Sequence, residues 1–128
     1  MPPRYFSIDE ANSALDTIRP LMDELQVIRS RILAQQPEMW PALESAAGNG
    51  GNPALSRMIK EFDRLNDMVH EILATGAQIK DLSAGLLDFP AWRNDHQVLL
   101  CWKHGEQEIL FWHETDGGFA GRRPIAEY

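Results

Sequence analysis

The stretch Phe111-Trp112-His113-Glu114 puts an imidazole next to a carboxylate, the residue pair in this chain with the plainest chemical use. A histidine changes charge near neutral pH, and with an acid beside it forms the minimal acid/base pair. Asp88 and Glu106 are the other acids expected near the same strands, so His113, Glu114, Asp88 and Glu106 are the candidate catalytic groups. Lys80, Arg93, Trp112, Arg122 and Arg123 are the candidate ligand-binding groups. The arginines qualify because a guanidinium fork fits a carboxylate or phosphate, which points to a small anionic ligand. His113 and Glu114 are also candidate ligands for a divalent metal or iron, with neighbouring carboxylates completing the set.

Each group has a plainer reading. A histidine on an apolar strand face is more often a hydrogen-bonded core residue than a catalyst. In a regular strand His113 and Glu114 point to opposite faces, so adjacency does not make them partners. Asp88, between Leu87 and Phe89, reads structurally as an ion pair with Arg93 or Lys80. The segment GGFAGRRP exposes backbone amides but lacks P-loop spacing, and reads as a tail pinned to Glu114 or Asp116 by arginine. Glu106 and Glu108 with Lys103 read as cross-strand surface charge. His70 and His96 read as solvated, and Trp92, Trp102 and Trp112 as core or interface residues.

Several function classes are disfavoured. Net charge is −7, with 19 acids against 12 Lys and Arg, which argues against a broad nucleic-acid surface. No serine stands in a nucleophile-elbow context. Cys101, His104 and His113 lack the spacing of a zinc knuckle, and Cys101 and His113 are expected on opposite faces of a hairpin. Cys101 therefore reads as a small buried hydrophobe. With one cysteine, no internal disulfide forms. No motif calls for a cofactor, and whether the chain is an enzyme is left open. The start, MPPRYFSIDEANS, lacks a signal-peptide core and no apolar run spans a membrane, so the expected location is cytoplasmic.

The elements that must position these groups come from periodicity. At 128 residues the chain fits a single domain, 1–128. SIDE, Ser7 to Glu10, is a capping box. Ala11, Leu15, Ile18, Met22, Leu25, Ile28 and Ile32 follow at helical spacing, through a kink at Pro20, to about Gln36. Residues 37–53 form a glycine-rich flexible linker, with one short helical turn at PALESAA. A second helix over 54–75 carries Leu55, Met58, Ile59, Phe62, Leu65, Val69 and Ile72, with Gly76 as its C-cap. Together, 7–75 make a helical hairpin. From Ala77 to the end the pattern becomes a small antiparallel β-meander with an irregular glycine-rich tail, and Arg4 to Phe6 is a candidate edge strand. The fold class is α+β.

The segment VLLCWKHGEQEILFWHE is apolar on both arms, turning near His104 and Gly105. A tight turn of two or four residues places Val98, Leu100 and Trp102 with Ile109, Phe111 and His113 on one face. Leu99, Cys101 and Lys103 then share the other with Leu110, Trp112 and Glu114. Leu99, Cys101, Leu110 and Trp112 would expose ~400–500 Å², equivalent to ~10 kcal/mol, more than a soluble chain leaves bare. The covers to weigh are a helix on each face, the tail folded back, a second copy of the chain, or a ligand under Trp112. A homodimer is the expected answer.

RYFSIDEAN, KDLSAGLLDFPAWR and LLCWKHGEQEILFWHETDGGFAGRRPI together resemble a bacterial family of unknown function, number 2203 in the unknown-function series. The resemblance rests on Lys80 and Asp81, Gly85 to Pro90, Leu100 to Trp102, Gly105 and Glu106, Trp112 to Glu114, and Gly118 to Arg122. That family often has Asp-Gly before the hairpin, where this chain has Asn94, Asp95 and His96, so a looser turn is expected here. The resemblance implies the architecture and draws attention to the polar signature residues, but implies no activity. The resulting expectation is a homodimeric interaction or small-ligand-binding module, with a protein partner also open. The alternative is a small metal-dependent or acid/base enzyme centred on His113 with an arginine anion clamp.

Overall fold

Ser7 opens the first helix as read: its hydroxyl accepts from the Glu10 amide at 3.0 Å, and the Glu10 carboxylate accepts from the Ser7 amide at 3.0 Å. The computed structural model describes residues 4–35, Pro37, Pro41 and 53–128. Helix α1 spans Ile8–Ala34 and runs on through Pro20. Its buried residues are Ala11, Leu15, Ile18, Met22, Leu25, Ile28 and Ile32, the predicted stripe. The linker over 37–53 and its short helical turn lie outside the described residues, Pro37, Pro41 and Pro53 apart.

Helix α2 spans Pro53–Ala74 and packs along α1. Arg64 forks onto Glu24 of α1 at 2.8 and 3.0 Å. The face that α2 buries matches the predicted one in part, with Leu65 and Val69 packed against the core as expected. Met58, Met68 and Ile72 are buried, whereas Ile59 and Phe62 of the expected stripe are exposed. The helix carries apolar residues on two adjoining ridges, and packing against α1 selects the ridge through Met68. Gly76 ends the helix with φ +102°, its amide donating to the Leu73 carbonyl at 3.0 Å.

Five antiparallel strands follow, β1 (Gln78–Asp81), β2 (Leu86–Arg93), β3 (His96–Lys103), β4 (Phe111–Glu114) and β5 (Arg123–Pro124), in the order β1-β2-β3-β4-β5. Arg4 to Phe6 does not join them as a strand. One bond ties it there, from the Phe6 amide to the Pro90 carbonyl at 2.7 Å. Pro90 is tolerated inside β2 because that edge of its backbone faces Phe6 beyond the end of β1, where no strand asks for its missing N–H. The β2–β3 turn is tight rather than loose: Arg93 pairs with His96, and Asn94 and Asp95 take φ +50° and +66°, the signature of a two-residue hairpin turn. The tail is less irregular than expected, supplying β5 and short 3₁₀ turns at Phe119–Gly121 and Ile125–Glu127.

The β3–β4 pairing overturns the predicted division of faces. Val98 pairs with Glu114, Leu99 with His113, Leu100 with Trp112 and Cys101 with Phe111. An odd number of residues therefore lies between partners, where the expected turn of two or four residues leaves an even number. A shift of one residue sends every side chain of a strand to the other face. The chain does turn at Gly105, φ +104°, but then runs as a loop that α1 holds down. Asn12 accepts from the Ile109 amide at 2.7 Å, and Arg19 donates to the Gln107 carbonyl at 2.9 Å.

Leu87, Phe89, Ala91, Val98, Leu100, Trp102 and Trp112 consequently share the face that packs with the α1 and α2 stripes in one core. Trp112 is core, not part of the second face. The far face carries Asp88, Leu99, Cys101, Phe111 and His113. Its cover is the tail. The Arg122 guanidinium lies 4.0 Å from the centre of the Phe111 ring and 4.8 Å from that of Phe119. Leu99 is 5 % exposed and Cys101 is fully buried within the single chain, while Leu110 is 38 % exposed. The patch that motivated a second copy is thus closed from within, and a ligand under Trp112 has no opening there. Among the described residues no helix is long and apolar enough to cross a membrane.

Candidate functional site

Asp88 and His113 are the buried polar side chains among the described residues, and they touch. Asp88 is the direct cross-strand partner of Cys101, and His113 lies two residues along β4 from Phe111, the other partner of Cys101. Paired and diagonal neighbours on one sheet face are close enough for side chains to meet. His113 Nε2 lies 3.0 Å from Asp88 Oδ1. Its Nδ1 lies 2.7 Å from the Glu114 carbonyl oxygen, which only accepts, so Nδ1 carries a proton. The Nε2–Oδ1 contact is then a hydrogen bond through one shared proton, in either of its two positions.

Cys101 completes the cluster. Its Sγ, an Asp88 oxygen and a His113 nitrogen all lie within 4.8 Å of one another. Burial, then the Asp88 charge, pushes the Cys101 thiol up to about 12, so the resting thiol is protonated and slow to react near neutral pH. A cavity of about 240 Å³ opens above the pair, lined by Lys80, Leu86, Asp88, Leu99, His113, Thr115, Gly118 and Phe119. Lys80 is an exposed cation at its edge. The floor is strand and the far wall is tail.

The structure distributes the remaining candidates differently from the sequence reading. Asp88 pairs with His113, not with Arg93 or Lys80. Glu114 points to the other side of the sheet, accepting from His96 Nε2 at 2.9 Å, so His96 is exposed but partnered. Hydrogen bonds to the Asn94 carbonyl and then to Glu114 raise the His96 pKa above 6.5. Glu106 accepts from Arg122 at 2.7 and 2.9 Å and from the Lys103 amide at 2.7 Å, in place of the surface pairing expected of it. The tail is therefore pinned through Glu106, not through Glu114 or Asp116. Arg93 stacks 4.6 Å over Trp112 and donates to the Glu127 carbonyl at 3.3 Å, and Arg123 lies 5.2 Å over Trp112. No arginine among the described residues lines the far-face cavity, so the expected clamp is not assembled there. Trp92 is exposed, packed edge-on to Tyr5. His104 meets Asp23 of α1 at 2.7 Å, away from the cluster.

Sequence reasoning named His113, Asp88 and Lys80, set Cys101 aside and passed over Thr115; it read Gly118 and Phe119 only as part of the GGFAGRRP tail. The signal for Cys101 was its register opposite Asp88, which becomes readable once β2 and β3 are joined by a two-residue turn at Asn94-Asp95. Thr115 carried no signal, and Gly118 and Phe119 gave none for this cavity, because only the fold-back of the tail brings them over the sheet.

A family model described as "Uncharacterized conserved protein (DUF2203)" matches residues 4–125. No curated protein and no solved structure matches the chain.

Proposed function

The chain belongs to the uncharacterised family DUF2203, and from that premise we propose that it is a small-ligand-binding module whose ligand enters the far-face cavity and is held at its floor by His113 and Asp88. The observation that carries this reading is that the buried polar side chains of the described residues stand together at the bottom of a cavity. Replacing a buried ionisable pair by apolar residues is often neutral or stabilising, so stability alone gives weak reason for the pair. Lys80 at the edge favours a small anion, a carboxylate or phosphate of a few heavy atoms, given about 240 Å³. A ligand is a better occupant of this face than a second copy, because the tail already covers the apolar area around the cavity.

The test is a titration of small carboxylates and inorganic phosphate into labelled protein, followed by NMR, with chelator present. The expected result is saturable shifts at His113, Asp88 and Lys80 that disappear in His113→Gln and weaken about tenfold in Lys80→Met. Saturable binding that leaves those residues unmoved, or binding unchanged in both variants, overturns the reading. The acid/base alternative keeps one supporting feature, the fixed Nδ1–H tautomer, which presents Nε2 and Asp88 as a proton-sharing couple. It would require turnover of the bound ligand that stops in Asp88→Asn.

A further inference from the structure

We infer that Asp88, Cys101 and His113 form a binding site for one borderline-soft divalent metal ion of the zinc class, with an open coordination position towards the cavity. This deepens the ligand-binding reading and rests on it only for what fills the open position.

One carboxylate oxygen, one cysteine sulfur and one imidazole nitrogen is a set that suits Zn²⁺ and its neighbours. Magnesium and calcium take six or more oxygens, which this cluster does not offer. Tetrahedral zinc, with bonds of ~2.0–2.3 Å, sets its ligand atoms ~3.3–3.7 Å apart. The three atoms already lie within 4.8 Å of one another, and Nε2 and Oδ1 are 3.0 Å apart, so small side-chain rotations bring them onto an ion.

The support around the ligands is of the kind metal sites use. A metal-binding histidine commonly donates its second ring N–H to a carbonyl or carboxylate, which fixes the tautomer. His113 Nδ1 does this to the Glu114 carbonyl at 2.7 Å, leaving Nε2 directed at Asp88. Each ligand comes from a different one of three adjacent strands, β2, β3 and β4, so the backbone spacing is set by the sheet. Charge balance agrees. A divalent ion with a thiolate, a carboxylate and a neutral imidazole sums to zero, which removes most of the cost of burying an ion. Three protein ligands leave a fourth position for water or a small anion, as in catalytic rather than structural zinc sites. Asp88 and His113 line the cavity and Cys101 stands beside Asp88 on the same face of the sheet, so the open position is reached from the cavity.

The experiment uses the full chain, stripped with chelator and titrated with Co²⁺ as a spectroscopic stand-in for Zn²⁺. The expected result is one ion per chain, with thiolate-to-cobalt charge-transfer absorption and the intense visible bands of a tetrahedral ion. Zn²⁺ should displace the cobalt stoichiometrically. Cys101→Ser should abolish the charge-transfer band, and His113→Gln should weaken binding at least tenfold, while the surface variant His96→Gln leaves both unchanged. No saturable cobalt spectrum with the wild-type chain, or a spectrum without thiolate character, overturns the inference without recourse to any variant. The two readings fail separately. Anion binding that persists under chelator with no cobalt spectrum removes the metal site alone. A cobalt spectrum with no response to acetate or phosphate, in either spectrum or NMR, leaves the metal site and removes the anion.

Discussion

Replacing both members of the buried couple tests whether it serves ligand binding or the fold. Asp88 and His113 side chains are each 3 % exposed, so solvent screening does little to soften the loss of either partner. Asp88→Val leaves His113 Nε2 without its acceptor. An orphaned buried polar group costs about 1–3 kcal/mol, and breaking a buried pair about 3–5 kcal/mol, so a loss near 3 kcal/mol is expected. At about 4 °C per kcal/mol for a chain of this length, Tm falls by ~12 °C. His113→Leu strands the Asp88 carboxyl in the same way and should cost a similar amount. The double variant Asp88→Val with His113→Leu leaves no polar atom of the pair unpaired. It should lie within about 1 kcal/mol of wild type, or above it, while losing anion and cobalt binding altogether. Urea unfolding of the four proteins, read by tryptophan fluorescence, closes the cycle. A double variant as unstable as the worse single variant would refute the reasoning, because the couple would then be part of what holds the sheet together.

Arg122→Ala should speed maleimide labelling of Cys101 at least ~tenfold, because it removes the group stacked on Phe111 and bonded to Glu106; this gain in access outweighs the loss of a charge that lowers the thiol pKa. Gly85→Ala should cost about 2–4 kcal/mol in urea unfolding, since φ is +66° and the new methyl would meet His104 Cβ at 2.5 Å. The His96 imidazolium is favoured in the folded chain, so its contribution is full below pH 6.5 and lost as pH rises through its higher folded value; an NMR titration of Glu114→Gln should show that midpoint falling towards 6.5. Binding of one divalent ion near pH 7 should release two protons, one from the Cys101 thiol and one shared by His113 and Asp88, as read by calorimetry in buffers of different ionisation enthalpy.

What was legible in the sequence was what depends on near neighbours. The capping box at Ser7 and the α1 stripe sit within one helix, and both appear as read. For α2, the existence and ends of the helix were local facts. Its buried face was legible only in part: Met58 and Ile72 are buried as read, but Ile59 and Phe62 compete with Met68 and only the partner helix decides. The strand positions were legible from Gly85, Pro90 and the apolar runs. The division of faces was lost to one residue of loop length. Asn12 and Arg19, more than eighty residues upstream, hold the segment after Gly105 out of the sheet, and no hairpin rule contains them. That single displacement put Trp112 in the core, and it brought together Cys101 and His113, which a tight turn would have kept on opposite faces.

The same displacement explains how a small domain can carry a polar cluster without weakening its core. With partners of like parity across β3 and β4, Leu99 and Phe111 stay on the far face, while Phe89, Leu100, Trp102 and Trp112 go to the helix side. Each is worth about 1.5–3 kcal/mol when fully buried, so the near face supports the fold without help from the other. The far face is then free to hold Asp88, Cys101 and His113, provided water is limited by something other than the helices. The tail meets that need. Gly117 lies so near β4 that an added Cβ would sit 3.4 Å from the Glu114 carbonyl and 3.6 Å from His113 Cβ, and Arg122 on Glu106 fixes the other end. A ligand in the cavity therefore touches strands on one side and tail on the other, and binding must tighten the tail as it fills the site. Amide exchange over 117–122 should slow on metal or anion binding more than exchange in α1 does, since α1 touches only the face the ligand never reaches.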